Sequence, residues 1–350
     1  MRISVLLPEV VRSARGGHKV VYEYCNALVE CGHNVNLYFF PGNMFKKYRI
    51  PEFIRIPIVK MYGEKIGPNK WFKLSNKIGR HVITDASEIG TADLIIATGI
   101  ETARPVYQLD ENFGEKIYFI QDFENWSFDD KFVTDSYKLG MKNIVVSRWL
   151  QETVDKYATS PSILIQNGID TSVFNFKQKR RTHHSIAFHY RSAKHKGCEY
   201  AIAVIRKLRV LYPDLQVNVV SSEKKPENLP GFCSFYENIT AEEVAEINNR
   251  SEIFICTSID EGFGLPGLEA MACGCALVST RYRGVLEYAV DGENALLSSV
   301  RDVDGMVSNV RILFEDESLL KKITTNGIQT GMEHSLEKSK MKFVHTIEEY

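Results

Sequence analysis

The chain has 350 residues, 44% of them apolar, 11% aromatic and 25% charged, which excludes disordered and fibrous classes and leaves room for two domains, each with its own core. Its formal net charge of -1 and the absence of any nucleic-acid motif argue against a nucleic-acid partner. The balance is uneven, since Met44 to His81 holds ten Lys and Arg against Glu52 and Glu64, a window of +8 in a chain whose remainder is -9.

In chain order, RISVLLP, a helix-like Lys19 to Glu30 and HNVNLYFF predict a strand, helix, strand opening. DLIIATG, KIYFIQD, NIVVSRW and SILIQNG follow, each an apolar run closed by polar or turn residues. Runs without alternation predict strands buried on both faces, hence a parallel sheet. A polar link from Asp170 to His183 carries the basic cluster KQKRR, and the rhythm restarts at SIAFHY, LQVNVVS, FCSFY, EIFICTS, CALVST and ALLSS. Helices are predicted over Cys198 to Leu211, Ala241 to Asn249, Leu265 to Cys273, Asp302 to Glu315 and Ser335 to Tyr350. Two Rossmann-like, doubly wound α/β domains are expected, 1–170 and 171–334, facing across a cleft, with a closing helix at 335–350 packed back toward the first domain.

Seven cysteines without a CxxC pair suggest neither a disulfide framework nor a zinc site. Most lie in apolar runs, where a reduced thiol packs as a small hydrophobe. The apolar start MRISVLLPEVV is too short for a signal peptide, and no run of eighteen apolar residues exists for a membrane span. A reducing cytoplasm is the expected compartment.

In such sheets ligands collect at the carboxyl ends of strands. After EIFICTS comes IDEGFGLPGLEAMACG, with Glu261 and Glu269 eight positions apart. Pro266 suits a first helical turn, so a helix is expected to start near Gly264 or Leu265 with unpaired amides at its head. Gly262 and Gly264 would let the N–H groups of Phe263, Gly264 and Leu265 approach a phosphate or sugar. Taken singly, Glu261 reads equally as a capping acid and Glu269 as a solvated helix residue. After SIAFHY, Arg191 and Lys196 stand five positions apart, two cations fit for a diphosphate, with Lys194 a competing candidate. In the first half, Gly16, Gly17 and His18 open the first predicted helix, another anion-compatible head or an ordinary loop. His18 is free to point into the cleft or into solvent.

The segment around Glu261 and Glu269 resembles the E-x7-E signature of retaining family 4 glycosyltransferases of the GT-B fold, and QDFE, from Gln121 to Glu124, resembles a subset near bacterial rhamnosyltransferases. Arg191, Lys196 and Gly197 match that family's R-x4-K-G pattern, and Gly32, His33 and Val35 its G-H-x-V run. Ser147, Asn167, Gly168, Asp170 and Phe174 extend the match near the domain junction. The resemblance implies that Glu261 contacts the donor sugar, that Glu269 holds the ribose hydroxyls, and that Arg191 and Lys196 neutralise the departing diphosphate. It implies a nucleotide-sugar donor, front-face attack by an acceptor hydroxyl, and no divalent metal or other cofactor. Many family members carry a histidine where this chain has Gln121 and Asp122. Asp122 reads as a sugar ligand or as a helix cap. Ala276 replaces a frequent proline.

The basic window mixes its cations with Tyr48, Phe53, Tyr62, Trp71 and Phe72. It is expected to contact anionic lipid and bring the enzyme to a glycan or lipid-linked acceptor in cell-envelope or polysaccharide biosynthesis; a solvated basic face over core aromatics is the alternative. A catalytically silent nucleotide-sugar-binding domain and an epimerase or phosphorylase are the functional rivals.

Overall fold

A computed structural model describes residues 1–11, 14–42, 44–65, 71–126, 128–178 and 181–350. Its compact units are 1–166 with 339–350, and 167–338.

The first unit is a run of strand–helix pairs. It comprises β1 (Arg2–Leu7), α1 (Gly16–Glu30), β2 (Asn34–Phe39), α2 (Glu52–Lys65), β3 (Gly79–Val82), β4 (Leu94–Ala97), α3 (Ile100–Gln108), β5 (Glu115–Ile120), α4 (Asp130–Tyr137), β6 (Lys142–Val145), α5 (Arg148–Asp155) and β7 (Ile163–Leu164). All of the described strand pairs are parallel, in the order β3-β2-β1-β4-β5-β6-β7. The apolar runs read from the sequence are its central strands. β4, LIIA, is buried along its length because helices cover both faces.

The second unit repeats the plan with β8 (Ser185–His189), α6 (Cys198–Leu211), β9 (Gln216–Ser221), β10 (Cys233–Glu237), α7 (Ala241–Arg250), β11 (Ile253–Cys256), α8 (Leu265–Ala272), β12 (Ala276–Thr280), β13 (Ala295–Ser298), α9 (Val303–Glu315) and α10 (Glu317–Glu333), and α11 (Leu336–Glu348) starts at its end. Its parallel sheet runs β10-β9-β8-β11-β12-β13. Ile186, Phe188, Val217, Val219, Ile255 and Val278 face one core layer, while Ala187, Phe254 and Leu277 face the other.

The chain leaves the first unit after Gln166 and returns after Lys338. Ile169 pairs with Ser335 in a parallel bridge, which keeps both of those segments with the second unit. From Ser339 onward α11 belongs to the first unit, where Phe343 stacks on Tyr24 at 4.3 Å between ring centroids and Lys340 pairs with Glu23 at 3.2 Å.

Strand order reverses at β1/β4 in the first sheet and at β8/β11 in the second. Adjacent strands there send their following loops to opposite sides, opening a crevice at their carboxyl ends.

Candidate active site

In the second unit the switch-point loops are stitched together. Beyond β8 the chain makes a tight turn at Lys194–Lys196 and enters α6 through Gly197, whose φ of 58° is left-handed. The carbonyl of Gly197 accepts the Thr257 hydroxyl at 2.9 Å, and that of His195 accepts the Ile259 N–H at 2.7 Å. These bonds lay the loop after β11 against the loop after β8. The result is an ion pair between the two sequence motifs, with Lys196 Nζ 3.1 Å from Glu261 Oε2. Lys194 is exposed, so of the two competing lysines Lys196 is the one turned to the acid.

Arg191 is half-buried, its Nη1 donating to the Tyr190 carbonyl at 2.9 Å. Burial pulls its guanidinium pKa down, against the opposing pull of Glu223, Cys198 and Glu261. Burial, reinforced by Lys196, also lowers the pKa of His195, with Glu261 and Asp260 acting the other way. Two fixed cations and an acid thus share one strand-end corner.

Helix α8 starts at Leu265, with Pro266 in its first turn and Gly264 as N-cap at φ 92°. Gly264 is required there twice over, since a Cβ would also lie 2.0 Å from the Tyr282 hydroxyl. The N–H groups of Phe263, Gly264 and Leu265 have no acceptor among the described residues, so the helix head presents donors and the positive end of its dipole. The Phe263 ring is core, packed at 5.7 Å against Tyr288, so its backbone is the part available to a ligand. Glu269 lies half-buried in the second turn of α8. Glu261 precedes the helix and is tied to Lys196 and Ser258, so it is no cap of α8.

In the first unit, Gly16 and Gly17 are the first residues of α1, with Arg15 as N-cap. A Cβ on Gly17 would lie 3.4 Å from the Gln121 amide, which brings Gly17 and Gln121 together. His18 does not point into solvent: it is buried, its Nε2 3.1 Å from the Glu9 carbonyl, and burial lowers its pKa to about 4. Asp122 accepts the N–H of its neighbour Phe123 at 2.9 Å. It is not the cap of the helix that follows, since α4 begins later under Asp129, whose carboxylate accepts the Phe132 N–H.

The sequence reading passed over Glu124. Its carboxyl accepts the Ile100 N–H at 2.5 Å at the head of α3 and rises to a pKa of about 7, chiefly through burial, with Asp122 and Glu101 adding repulsion. Only the QDFE spelling marked this position, and nothing in it distinguishes the second acid from the first.

The basic window divides. Trp71 and Phe72 pack on Tyr22 of α1 at 5.7 and 5.4 Å, and Tyr62 is buried. Tyr48 and Phe53 face outward, 59% and 78% exposed, and Phe53 continues along α2 through the exposed Pro57 to Met61, 56% exposed. Residues 66–70, with Lys70, lie outside the described residues, as do Lys179 and Arg180 of the KQKRR cluster. Among the described residues no helix is long and apolar enough to cross a membrane.

Comparison with known proteins defines the class. The solved sucrose-phosphate synthase of Thermosynechococcus elongatus superposes with a TM-score of 0.76 at 15% identity, covering 99% of this chain and 98% of that one. Anabaena HepE in complex with UDP-glucose superposes at 0.74 and 13% identity, covering 100% of both. The fold is therefore the two-domain α/β GT-B fold.

Residues 171–330 match the family model described as "Glycosyl transferases group 1". An uncharacterized glycosyltransferase of Methanocaldococcus jannaschii is 25% identical over 209 residues, 57% of either chain. The chain spans about half the length of the curated relatives that it matches.

Proposed function

We propose that this protein is a retaining, metal-independent glycosyltransferase that moves a sugar from a nucleotide-sugar donor to a hydroxyl of a glycan or lipid-linked acceptor in cell-envelope or polysaccharide biosynthesis. The observation that carries the reading is the Lys196–Glu261 contact, which joins the two motif loops beside the head of α8. The family match over the same unit supports it.

In this reading the donor diphosphate lies against the open amides of Phe263, Gly264 and Leu265, with Arg191 and Lys196 on its oxygens. Glu269 holds the ribose hydroxyls and Glu261 the donor sugar. The acceptor oxygen bonds to the anomeric carbon on the face from which the diphosphate leaves, and its proton passes to the departing phosphate oxygen. As the glycosidic bond to phosphate breaks, negative charge builds on the diphosphate, where prearranged cations and amides stabilise it most. These cations take the place a divalent metal holds in other transferases. Gly17 is assigned to the donor, and Gly16, His18, Gln121 and Asp122 to the acceptor or sugar side. His18, a buried neutral imidazole, acts there by shaping the Glu9 turn.

The protein works in the cytoplasm at the inner face of the membrane, which the outward face of α2 and the neighbouring cations touch. Screening UDP-, GDP-, dTDP- and ADP-linked sugars by thermal shift, then assaying turnover of the binder, tests the reading. Absence of any stabilising nucleotide sugar overturns it.

A further inference from the structure

Ser258, which the sequence does not single out, lies at the root of the candidate site. It is 3% exposed, and its hydroxyl donates to Glu261 Oε1 in a short contact. Its own position is fixed from two sides. Thr280, at the end of β12, donates its hydroxyl to the Ser258 carbonyl at 2.5 Å, and the Cys256 thiol donates to the Ser258 oxygen at 3.5 Å. Because an ionised carboxylate can only accept, the one hydrogen of Ser258 is committed to Glu261. Glu261 Oε2 is taken up by Lys196 at 3.1 Å. Each oxygen of the carboxylate therefore has one internal donor, and each keeps lone-pair capacity for a sugar hydroxyl.

The two donors differ in kind. Lys196 carries its ammonium on a flexible stem and is also the cation matched to the diphosphate. Ser258 sits on a short side chain in a buried, hydrogen-bonded frame. We infer that Ser258 is a positioning residue that holds Glu261 oriented toward the donor sugar after Lys196 has exchanged its carboxylate partner for the diphosphate. The inference rests on the donor-site reading above and adds to it an order of events, in which the diphosphate breaks the Lys196–Glu261 pair and the Ser258–Glu261 bond survives.

The effect is selective for the sugar. Without its hydroxyl partner Glu261 loses its fixed rotamer, while the nucleoside diphosphate, which does not touch Glu261, keeps its contacts. Titration calorimetry on the full chain, using UDP-, GDP-, dTDP- and ADP-linked hexoses and the four free diphosphates, compares the wild type with Ser258→Ala, Glu261→Ala and the double variant. Ser258→Ala is expected to weaken the bound sugar nucleotide roughly tenfold, the scale of one hydrogen bond to a charged group, and to leave the matching diphosphate within about twofold. In the Glu261→Ala background the same change is expected to add nothing. Retained diphosphate affinity shows that the variant is folded. Equal weakening of both ligands, no weakening of either, or additivity in the double variant overturns the role of Ser258 and leaves the donor site standing. A wild type that binds none of the eight ligands overturns both.

Discussion

Thr257 donates its hydroxyl to the carbonyl of Gly197 at 2.9 Å, and the α-carbon of Gly197 approaches so closely that a Cβ would stand 2.1 Å from the Thr257 carbonyl oxygen. The glycine that ends the R-x4-K-G motif is thus the joint at which the β8 and β11 loops meet. Gly197→Ala combines a left-handed φ with an overlap against backbone, which cannot rotate away. We expect a loss of about 2–4 kcal/mol in urea unfolding, with Lys196 displaced from Glu261 and donor binding lost.

In the proposed donor site Arg191 and Glu269, both half-buried, serve the ligand through charge and hydrogen bonding. Arg191→Ala and Glu269→Ala should therefore fold normally and lose the ligand response. A wild type held at one hundred times its dissociation constant gains about 2.7 kcal/mol of stability, and each variant should lose that thermal shift at the same ligand concentration. A full-sized shift in both would show that these residues are not where the donor sits.

Glu124 gives a pH signature. Its folded carboxyl has a pKa of about 7, above the 4.5 of an ordinary glutamate in an unfolded chain. Between those values the folded state keeps a proton that the unfolded state has released. The associated stability is complete below pH 4.5 and is lost as pH rises through 7. Glu124→Gln preserves an acceptor for the Ile100 N–H and removes the titration. It should be more stable than the wild type at pH 8, on the order of 2 kcal/mol, and indistinguishable from it at pH 4.5. Chemical denaturation at the two pH values decides it, and an equal difference at both would place the cause elsewhere.

Much of this architecture is legible in the sequence because buried parallel strands are written as contiguous apolar runs. IYFI and IFIC announce themselves, and Pro266 between glycines marks the head of α8. Other elements are masked by opposing local signals. Helix α10 contains Gly327 and Gly331, poor helix formers, yet a Cβ on Gly331 would lie 2.6 Å from that of Ala272, so the glycine is what lets α10 approach α8. Helix α2 carries Pro57 in its interior, and β3, GRHV, is too short and polar to register. At the site, charge and spacing pointed to Arg191, Lys196, Glu261 and Glu269. Glu124 acts through Ile100, distant in sequence, and Ser258, though close to Glu261 in sequence, is held by Thr280 from another strand, and single-chain patterns do not reveal such pairings.

The outward face of α2 offers a direct test of membrane contact. Phe53, Pro57 and Met61 form a helical stripe of exposed side chains in the most cationic window of the chain. Vesicles of phosphatidylcholine with one-third phosphatidylglycerol should co-sediment the protein, whereas pure phosphatidylcholine should not. Phe53→Ser with Met61→Ser should reduce binding at least tenfold, in line with the transfer free energy of two large apolar side chains, without changing the response to donor. Equal recovery from both vesicle types, or an unaffected double variant, would end the idea.

The bridge between Ile169 and Ser335 sets the two ends of the second unit side by side, so that this unit is a single continuous stretch inserted into the chain of the first. During synthesis the inserted stretch is complete at Lys338, five residues ahead of Phe343. The first unit must wait for Phe343, stacked on Tyr24, to emerge from the ribosome. The N-terminal half is thus begun before the inserted stretch and completed after it, and loss of residues 339–350 would expose the flank of α1 that Phe343 covers.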